Sequence, residues 1–591
     1  MLLLTLDAIL LLLITLCQGV LFKKGLEKLF RTPIESDLLG IFLAGLIFST
    51  IYFSLVSFWW PVNYLCLLPL VAAHLLFFAF SRGTYQQLVL LLRQRADFVF
   101  TGAHALPAVC LLVLLCFYLA KPPGHPDSVG YHYLSILWYE KFKVVPGLAN
   151  LHGRFAFNPA SFIIQAAYGF TDLTGRSIYP LNSVTTALFL YWLLTRILRH
   201  LYTWTGLVYF ILLLILGRET LGNMSSASSD LLVLVCVVYT VLRFFELMHA
   251  GNITPRSLII PMLVGIFAPM AKLSAYPMVL ILAFMLYRLP GGRVKMLLAG
   301  RLLLTALLLY LPWLGRNIIL CGWLVYPFPY IDLFHVDWKA PREILLTDNY
   351  FTRYSPILGL KLHQAHQKPS LVFLDWFPTW FVNVRNIAPT IFIIMVAAFG
   401  SPLFWLARFI IRRKPANATD VLYWLMYAMV WVWAITSPDA RFGISFLALS
   451  IALVLLPAVA GDRKIPAFII PSLFIPFTAW YLYSDYAFTK KDTKKRIDLS
   501  AVDNKNPWIY PRQDVGYMLR SAQGLPYTIM KNGVKLYHPT NKLPCNETCL
   551  PCMSWPYGEI EMRGSSLSEG FRNTRNEVTK KFRFVSDTYI P

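Results

Sequence analysis

A polar stretch at residues 126–155, PDSVGYHYLSILWYEKFKVVPGLANLHGRF, lies between two apolar segments and contains residue types suited to acid–base chemistry. Asp127 opens this stretch, and apolar or aromatic residues follow at spacings of three or four: Tyr131, Leu134, Trp138 and Phe142. This spacing predicts an amphipathic helix over 128–142 that lies in the membrane interface, with the Asp127 carboxylate at its amino-terminal end. Asp127 is then either an N-cap or a general base, because an aspartate suits both roles.

A second carboxylate, Asp230, stands at a comparable place in the segment SSASSDLLVLV, where it precedes an apolar run. Asp230 is likewise either an N-cap or a second group for acid–base or metal-assisted chemistry. Three cations at the ends of apolar segments must each find an anion, because charge exposed to lipid is costly: Lys272, Arg316 and Arg441. A lipid-linked phosphate is one such anion. The alternative is neutralisation of a nearby acid, such as Asp439, or contact with lipid head groups.

Histidines and aromatic residues near these charges allow two further interpretations. Three histidines lie near Asp127 in the sequence: His125, His132 and His152. Their spacing matches no established metal-ligand pattern, so hydrogen-bonding roles are favoured and no cofactor is expected, with a divalent metal ion left open. The Trp and Tyr residues of the segment 316–387 are assigned mainly to an interfacial aromatic belt rather than to sugar stacking.

The composition is typical of a membrane protein with many spans. Of the 591 residues, 57% are hydrophobic and 14% are charged, whereas about 25% are charged in soluble proteins. The formal net charge of +23 suits cytoplasmic loops that face anionic lipid, and we do not expect nucleic acid as a partner. A Walker A loop and a GxGxxG loop are both missing from the sequence, which argues against an ATP-driven transporter.

Fourteen apolar segments suit a hydrocarbon core of about 30 Å. They lie at about 2–22, 38–57, 63–81, 99–120, 178–197, 203–217, 230–247, 257–271, 274–288, 301–315, 388–410, 421–436, 443–460 and 466–485. The basic loops fall on one side, which the positive-inside rule makes cytoplasmic. Both termini are then expected outside, together with the loops 121–177, 218–229, 316–387 and 437–442.

The chain is expected to divide into a multi-span membrane domain, 1–485, and an extracytoplasmic domain, 486–591. The second domain is polar and has short β-like runs, YTIM and VKLYH. Its segment LPCNETCLPC contains Cys545, Cys549 and Cys552, which predict one disulfide, with a zinc site that includes His538 as the alternative. The predicted fold class is an all-α polytopic membrane protein with a small mixed α/β extracytoplasmic domain.

These motifs resemble the GT-C superfamily of integral-membrane glycosyltransferases. The resemblance rests on HPDSVGYHY, SSD, AKLSAYP, PWLGRNIILCGWLVYPF and PDARF, and it covers most of the chain. VVPGLANLHGRFAFN and GVKLYHP…LPC…MRGSSLSEGFR are similar to a bacterial branch of that superfamily. The resemblance implies inverting transfer from a polyprenyl-phosphate-linked sugar at the outer face of the bacterial inner membrane. The implied partners are that donor, a glycan, lipid or protein acceptor, and membrane lipid.

The resemblance also implies roles for particular residues. Asp127 matches the general base, and Lys272 and Arg316 match the binders of the donor phosphate. Ser128 follows Asp127 where many members have a second acid, so a metal requirement is left open. From the residues themselves, Asp230 is the second catalytic candidate. The expected substrate-binding residues are Tyr131, His132, His152, Arg154, Lys272, Arg316 and Arg441.

Two other functions are alternatives, namely a flippase or exporter of lipid-linked glycans and a glycan polymerase or ligase. Transporters typically place charges in the middle of discontinuous spans and contain internal repeats. In this sequence the charges are concentrated at the outer ends of the spans, and no repeat is visible. The sequence therefore favours an enzyme over a transporter.

Overall fold

The computed structural model of the protein describes most of the membrane domain and parts of the remainder. The described residues are 2–80, 83, 86, 89, 102–121, 127–175, 178–358, 373–412, 417–459, 464–493, 526–530, 533–538, 550–552 and 560–574. Their α-helices are α1 (Leu2–Phe30), α2 (Leu38–Val56), α3 (Leu67–Phe80), α4 (Ala105–Leu119), α5 (Tyr133–Lys141), α6 (Leu148–Leu151), α7 (Ala160–Ala167), α8 (Thr171–Thr174), α9 (Pro180–Arg199), α10 (Trp204–Gly222), α11 (Asp230–His249), α12 (Pro255–Ala271), α13 (Met278–Arg288), α14 (Gly292–Cys321), α15 (Arg342–Leu358), α16 (Phe373–Ile387), α17 (Pro389–Arg412), α18 (Ala418–Thr436), α19 (Ala440–Val459) and α20 (Ile469–Thr493).

The long helices confirm a multi-pass helical membrane protein. Within the described residues, nine helices are long and apolar enough to cross a membrane: α1, α2, α9, α10, α11, α14, α17, α18 and α19. Five shorter apolar helices occupy the remaining predicted positions: Tyr64–Phe77, Ala105–Leu119, Pro255–Ala271, Leu273–Arg288 and Ile469–Ser484. The count of fourteen spans therefore stays a prediction.

The helices pack around a central helix, α11, whose residues are nearly all buried. Helices α1 and α2 form the closest pair, because Gly19 lies against the Ile41 carbonyl and Gly45 against the Thr15 carbonyl. A Cβ atom at either glycine would clash with that carbonyl, so glycine allows the two backbones to approach. Helices α14 and α17, in contrast, are mostly exposed apolar surface, as expected for lipid contact.

The segment that follows Asp127 differs from the predicted interfacial helix. Ser128–His132 forms one π-helical turn that continues into α5. The predicted exposed face of this helix is absent, because every residue of α5 from Tyr133 to Glu140 is buried. Trp138 packs edge-on against the Phe571 ring from the far end of the chain, with 5.9 Å between centroids. The helix is therefore covered by protein and does not present a face to lipid head groups.

The described residues near the carboxyl terminus form two small antiparallel sheets. Strands β1 (Tyr527–Ile529) and β2 (Lys535–Tyr537) form one, and β3 (Ile560–Met562) and β4 (Phe571–Asn573) form the other. Cys552 is disulfide-bonded, which supports the predicted disulfide and removes this residue from the zinc alternative. The other two cysteines of the segment, Cys545 and Cys549, lie outside the described residues.

Candidate functional site

Four segments of the described chain meet at one end of the helix bundle. They are the segment 127–154 with Asp127 and Arg154, the first turn of α11, helix α15 at Asp348, and the start of α19 with Arg441. The Asp127 carboxylate lies 3.6 Å from Arg154 Nη1 and 3.0 Å from Arg441 Nη1. Contacts across more than 300 residues of sequence therefore assemble a charged cluster, named the Asp127 cluster below.

Asp127 does not act as a helix cap. Its backbone is already helical, and its side chain makes no capping hydrogen bond within the described part of the chain. The side chain is 29% exposed while two guanidinium groups hold it. Because nearby positive charge favours the ionised form of a carboxyl group, this environment suits a carboxylate that accepts a proton from a bound molecule.

Arg154 lies in a 3-10 turn, Gly153–Ala156, whose start is fixed by His152. The backbone N–H of Arg154 donates to His152 Nδ1 over 3.1 Å. Burial, together with the Arg154 charge, lowers the pKa of His152 to about 3, so the ring is neutral and can accept this bond. The Arg154 guanidinium lies over the ring of Tyr131, at 5.4 Å from its centroid. His152 is thus a positioning residue for Arg154.

Asp348, on α15, was not predicted from the sequence. Its carboxylate lies 3.7 Å from Arg154 Nε and accepts a hydrogen bond from the Tyr326 hydroxyl. Burial raises the pKa of Asp348, and Arg154 and Tyr326 offset this only in part. Tyr326 and Asp348 were not identified as candidates, because the aromatic residues of 316–387 were assigned mainly to a lipid-facing belt. The sequence signal was the mixture of Asp, Arg and Tyr in TDNYFTRY.

Asp230 and Lys272 form an ion pair, and Asp230 also interacts electrostatically with Arg441, which binds Asp127. Asp230 occupies the first turn of α11, its residue is buried, and Ser229 stands at the N-cap. The Lys272 ammonium also lies over the Phe442 ring, 3.5 Å from its centroid. The anion expected for Lys272 is therefore Asp230, which agrees with the alternative of neutralisation by an acid. The Asp230 carboxylate compensates the charge of Lys272.

Arg441 bridges two carboxylates. Its Nη2 lies 2.9 Å from Asp439 Oδ2, and its Nε donates to both Asp439 oxygens over 3.2 Å. Its Nη1 donates to Asp127 over 3.0 Å. The described ion pairs of the cluster thus join four carboxylates (Asp127, Asp230, Asp348 and Asp439) and three cations (Arg154, Lys272 and Arg441). Glu219 and Arg218 lie near the cluster and add one charge of each sign.

Arg316 occupies a different position, inside α14. Its residue is 1% exposed, its Nε donates to Asn158 Oδ1 over 3.0 Å, and its guanidinium lies 4.5 Å from the Tyr139 ring centroid. Nη1 and Nη2 have no hydrogen-bond partner among the residues that the structure describes. The structure therefore places a buried cation beside Asn158 and Tyr139, with no carboxylate partner among the described residues.

Two of the predicted substrate-binding residues, Tyr131 and His132, pack against each other next to Asp127 in the sequence. His132 is buried, its Nδ1 is 3.4 Å from Ser128 Oγ, and its ring packs against Tyr131 and Phe162. His125 lies outside the described residues. Across the described ranges, no group of three His, Cys, Asp or Glu is arranged to hold a metal ion. The geometry gives no support to a histidine metal site.

Family comparison covers this whole site. The model of a family described as a domain of unknown function, DUF8201, matches residues 1–448. No curated protein and no solved structure gives a significant match. The matched range contains Asp127, Arg154, Asp230, Asp348 and Arg441, and it ends within α19. The chain therefore belongs to the DUF8201 family.

Proposed function

We propose that the protein is a GT-C-type membrane glycosyltransferase that transfers a sugar from a polyprenyl-phosphate donor to an acceptor hydroxyl, with inversion. The observation that carries the proposal is the Asp127 carboxylate, which is partly exposed and held between Arg154 and Arg441 where four segments meet. A positioned carboxylate supplies a general base, and nearby cations stabilise a departing phosphate. The candidate base and one candidate phosphate contact, Lys272, lie in this cluster, and the other candidate contact, Arg316, lies inside α14.

In the proposed reaction, Asp127 accepts the proton of the acceptor hydroxyl as its oxygen bonds to the anomeric carbon. The bond between that carbon and the phosphate oxygen breaks, and polyprenyl phosphate leaves as an anion. The base must be ionised beforehand, and the two guanidinium groups favour that form. Asp230 is held by Lys272 and is the second candidate for the base.

The donor phosphate has two candidate partners, Lys272 and Arg316. Lys272 already neutralises Asp230, so a phosphate would have to compete with a carboxylate. In the described part of the chain Arg316 has no carboxylate partner, and two of its nitrogens lack hydrogen bonds. Those nitrogens are sealed from solvent, so access requires displacement of the Asn158 side chain or the Tyr139 ring. We assign the phosphate to Arg316, with Lys272 as the second contact.

The proposal places the Asp127 cluster on the outer side of a bacterial inner membrane, with fourteen spans and both termini outside. Helix α11 supports this arrangement, because Asp230 begins it and Glu246 lies near its far end. Sixteen residues of helix separate these side chains by about 24 Å. Predicted outer loops and the outer ends of predicted spans supply the Asp127 cluster. Arg196, in the basic stretch predicted to be cytoplasmic, contacts Glu246 at the other end of α11.

Substitution of Asp127 tests the proposal. Asn keeps the shape of the side chain but cannot accept a proton, so Asp127→Asn should lower transfer by about 10²- to 10⁴-fold. The assay uses purified protein, labelled polyprenyl-phosphate hexoses and pentoses, and membranes from cells that lack the protein as the acceptor source. Asp172→Asn is the matched control, because Asp172 is an exposed acid of the same segment that pairs with Lys141.

Two results would contradict the assignment. If the parental protein transfers no sugar from any donor of the panel, the proposed reaction is wrong. If Asp127→Asn retains the parental rate while Asp230→Asn loses it, the reaction stands and Asp230 is the base.

One observation favours the flippase or exporter alternative. Asp7 is buried within α1, and both of its carboxylate oxygens lack a hydrogen-bond partner in the described chain. An ionisable residue inside a span often marks a transport pathway. In proteoliposomes, a transporter should lose translocation of a labelled lipid-linked glycan in Asp7→Asn and keep it in Asp127→Asn. The proposed enzyme gives the opposite pattern, with transfer lost only in Asp127→Asn.

A further inference from the structure

The hairpin at residues 560–574, which contains β3 and β4, lies outside the family match yet contacts the segment that carries Arg154. Phe571 is fully buried and packs against Trp138. Its backbone N–H donates to the Pro146 carbonyl over 3.0 Å, and its carbonyl accepts from Asn150 Nδ2 over 3.3 Å. The hairpin thus binds the segment through backbone and side-chain contacts together.

A second set of contacts joins the hairpin to the loop before α15. Arg563 Nε donates to Asp337 over 2.7 Å, and its guanidinium lies 4.6 Å from the Trp338 ring centroid. Asn150 Nδ2 also donates to the Trp338 carbonyl over 2.9 Å. Asn150 therefore connects three parts of the chain that are distant in sequence.

Both sides of this contact are built with glycine. Gly147 and Gly570 each adopt positive φ angles, 66° and 89°. A Cβ atom at Gly147 would clash with the Phe571 carbonyl, and one at Gly570 would clash with the Pro146 carbonyl. The local backbone on each side is therefore shaped for close approach of the other, which an incidental contact does not require.

Four residues after Asn150, the same segment presents Arg154 to the Asp127 cluster. Successive backbone hydrogen bonds connect the two positions: Asn150 to Gly147, His152 to Leu148, and Phe155 to His152. Release of the segment at Asn150 would remove the support of the turn that holds Arg154. The 3.6 Å and 3.7 Å contacts of Arg154 with its two carboxylates depend on that turn.

We infer that the hairpin 560–574 is a positioning element of the candidate site, in which Phe571, Arg563 and Asn150 hold Arg154 between Asp127 and Asp348. A segment outside the family match thereby fixes the position of Arg154, which lies inside it. The effect on sugar transfer rests on the proposed function, whereas the positioning itself rests on the contacts above.

Hydrogen–deuterium exchange on the full chain in lipid nanodiscs tests the positioning without any sugar transfer. In Phe571→Ala, amides of the segment 146–158 should exchange at least about tenfold faster, while those of α11 keep the parental rate. Arg572→Ala is the matched control, because Arg572 lies on the same strand and pairs with Glu561 inside the hairpin. Phe571→Leu, which keeps most of the apolar volume, should restore slow exchange.

Arg563→Gln is a second variant that leaves the buried ring in place and removes a partly exposed ion pair. It should accelerate exchange in 146–158 by a smaller factor than Phe571→Ala. The inference is overturned if the amides of 146–158 exchange at the parental rate in the double variant Phe571→Ala with Arg563→Gln. The exchange rate of the hairpin amides does not alter this conclusion.

Transfer assays separate this inference from the proposed function. Phe571→Ala should lower kcat/KM, and Phe571→Leu should restore it, as expected for a residue that acts through Arg154. If exchange accelerates and the parental protein transfers no sugar, the positioning stands and the glycosyltransferase proposal fails. If Asp127→Asn abolishes transfer and exchange stays at the parental rate, the positioning inference alone fails.

Discussion

Two charged clusters lie at opposite ends of α11, and they are built differently. At the far end, Asp37 accepts hydrogen bonds from Gly40 N–H over 2.9 Å and from Trp192 Nε1 over 2.8 Å. Glu246 there accepts from both Arg196 and Arg243 over 2.7 Å. Short and long contacts occur at both ends, because Arg243 lies 3.9 Å from Asp37, whereas Arg154 lies 3.6 Å and 3.7 Å from its two carboxylates. The two ends differ instead in the balance of their charges.

Acids and cations are balanced at one end of α11 and not at the other. Among the residues joined by the described ion pairs, two acids face two arginines at the Asp37 end, whereas four acids face three cations at the Asp127 end. Glu219 and Arg218 add one acid and one cation near the Asp127 end, so the excess of one acid remains. A balanced set of ion pairs leaves little for a ligand to improve. An excess of acids raises the proton affinity of a set of carboxylates, which suits a group that accepts a proton. We therefore interpret the Asp37 end as structural and the Asp127 end as functional.

The largest expected effect is the loss of stability when the Asp37 end is opened. Arg196→Met leaves the partly exposed Asp37 and Glu246 with Arg243 alone, so the cost should approach, from below, the value of about 3–5 kcal/mol for a fully buried pair. The measurement is the thermal unfolding midpoint of the purified protein in detergent. Arg441→Met is the matched variant at the other end. Arg441→Met should lower the midpoint much less than Arg196→Met and should abolish most sugar transfer. Equal midpoints in the two variants would contradict the comparison.

The spans and the signs of the charges could be predicted from sequence, because both are local signals. Apolar length marks a helix wherever it occurs, and the position of Arg441 beside Asp439 is visible in PDARF. The pairing of Asp127 with Arg441 joins residues 314 positions apart, and no local pattern encodes it. Sequence periodicity therefore identified candidates and not their partners.

The burial of α5 was missed for a related reason. Its aromatic residues have the spacing of an interfacial helix, and a lipid surface and a protein surface both select apolar residues there. Phe571 covers Trp138 from a hairpin more than 400 residues away. Likewise, Tyr326 and Asp348 resemble belt residues until Arg154 is placed beside them.

Substitution of Arg316 should have an effect of intermediate size, on donor binding and not on stability. Because this buried cation has no carboxylate partner in the described chain, Arg316→Gln should not lower the unfolding midpoint. The same change should weaken binding of a polyprenyl-phosphate donor by about tenfold or more, since a charged hydrogen-bonding partner is lost. Arg316→Lys should weaken binding less, because charge is kept and the bidentate geometry is lost. Donor affinity unchanged in both variants would remove Arg316 from the site.

The smallest expected effect is the pH dependence of stability, which should differ between the two ends. Burial raises the pKa of Asp37, but Arg196, Arg243 and the Gly40 N–H lower it further, so the net pKa lies below its usual value. Its contribution to stability is present above the unfolded pKa, about 3.9, and is lost as the pH falls through the lowered value. Asn caps a helix as well as Asp, so Asp37→Asn should remove this acid-side loss.

Asp348 should show the opposite sign. Burial raises its pKa, so between about pH 3.9 and the raised value the folded protein holds a proton that the unfolded chain releases. Stability from this group is therefore present at low pH and is lost as the pH rises through that window. The measurement is the unfolding midpoint of each variant relative to the parental protein, from acid to neutral pH. As the pH rises, this difference should increase for Asp348→Asn and decrease for Asp37→Asn. If the difference changes in the same direction for both variants, the pKa values of Asp37 and Asp348 are not shifted in opposite directions, and this part of the comparison is wrong.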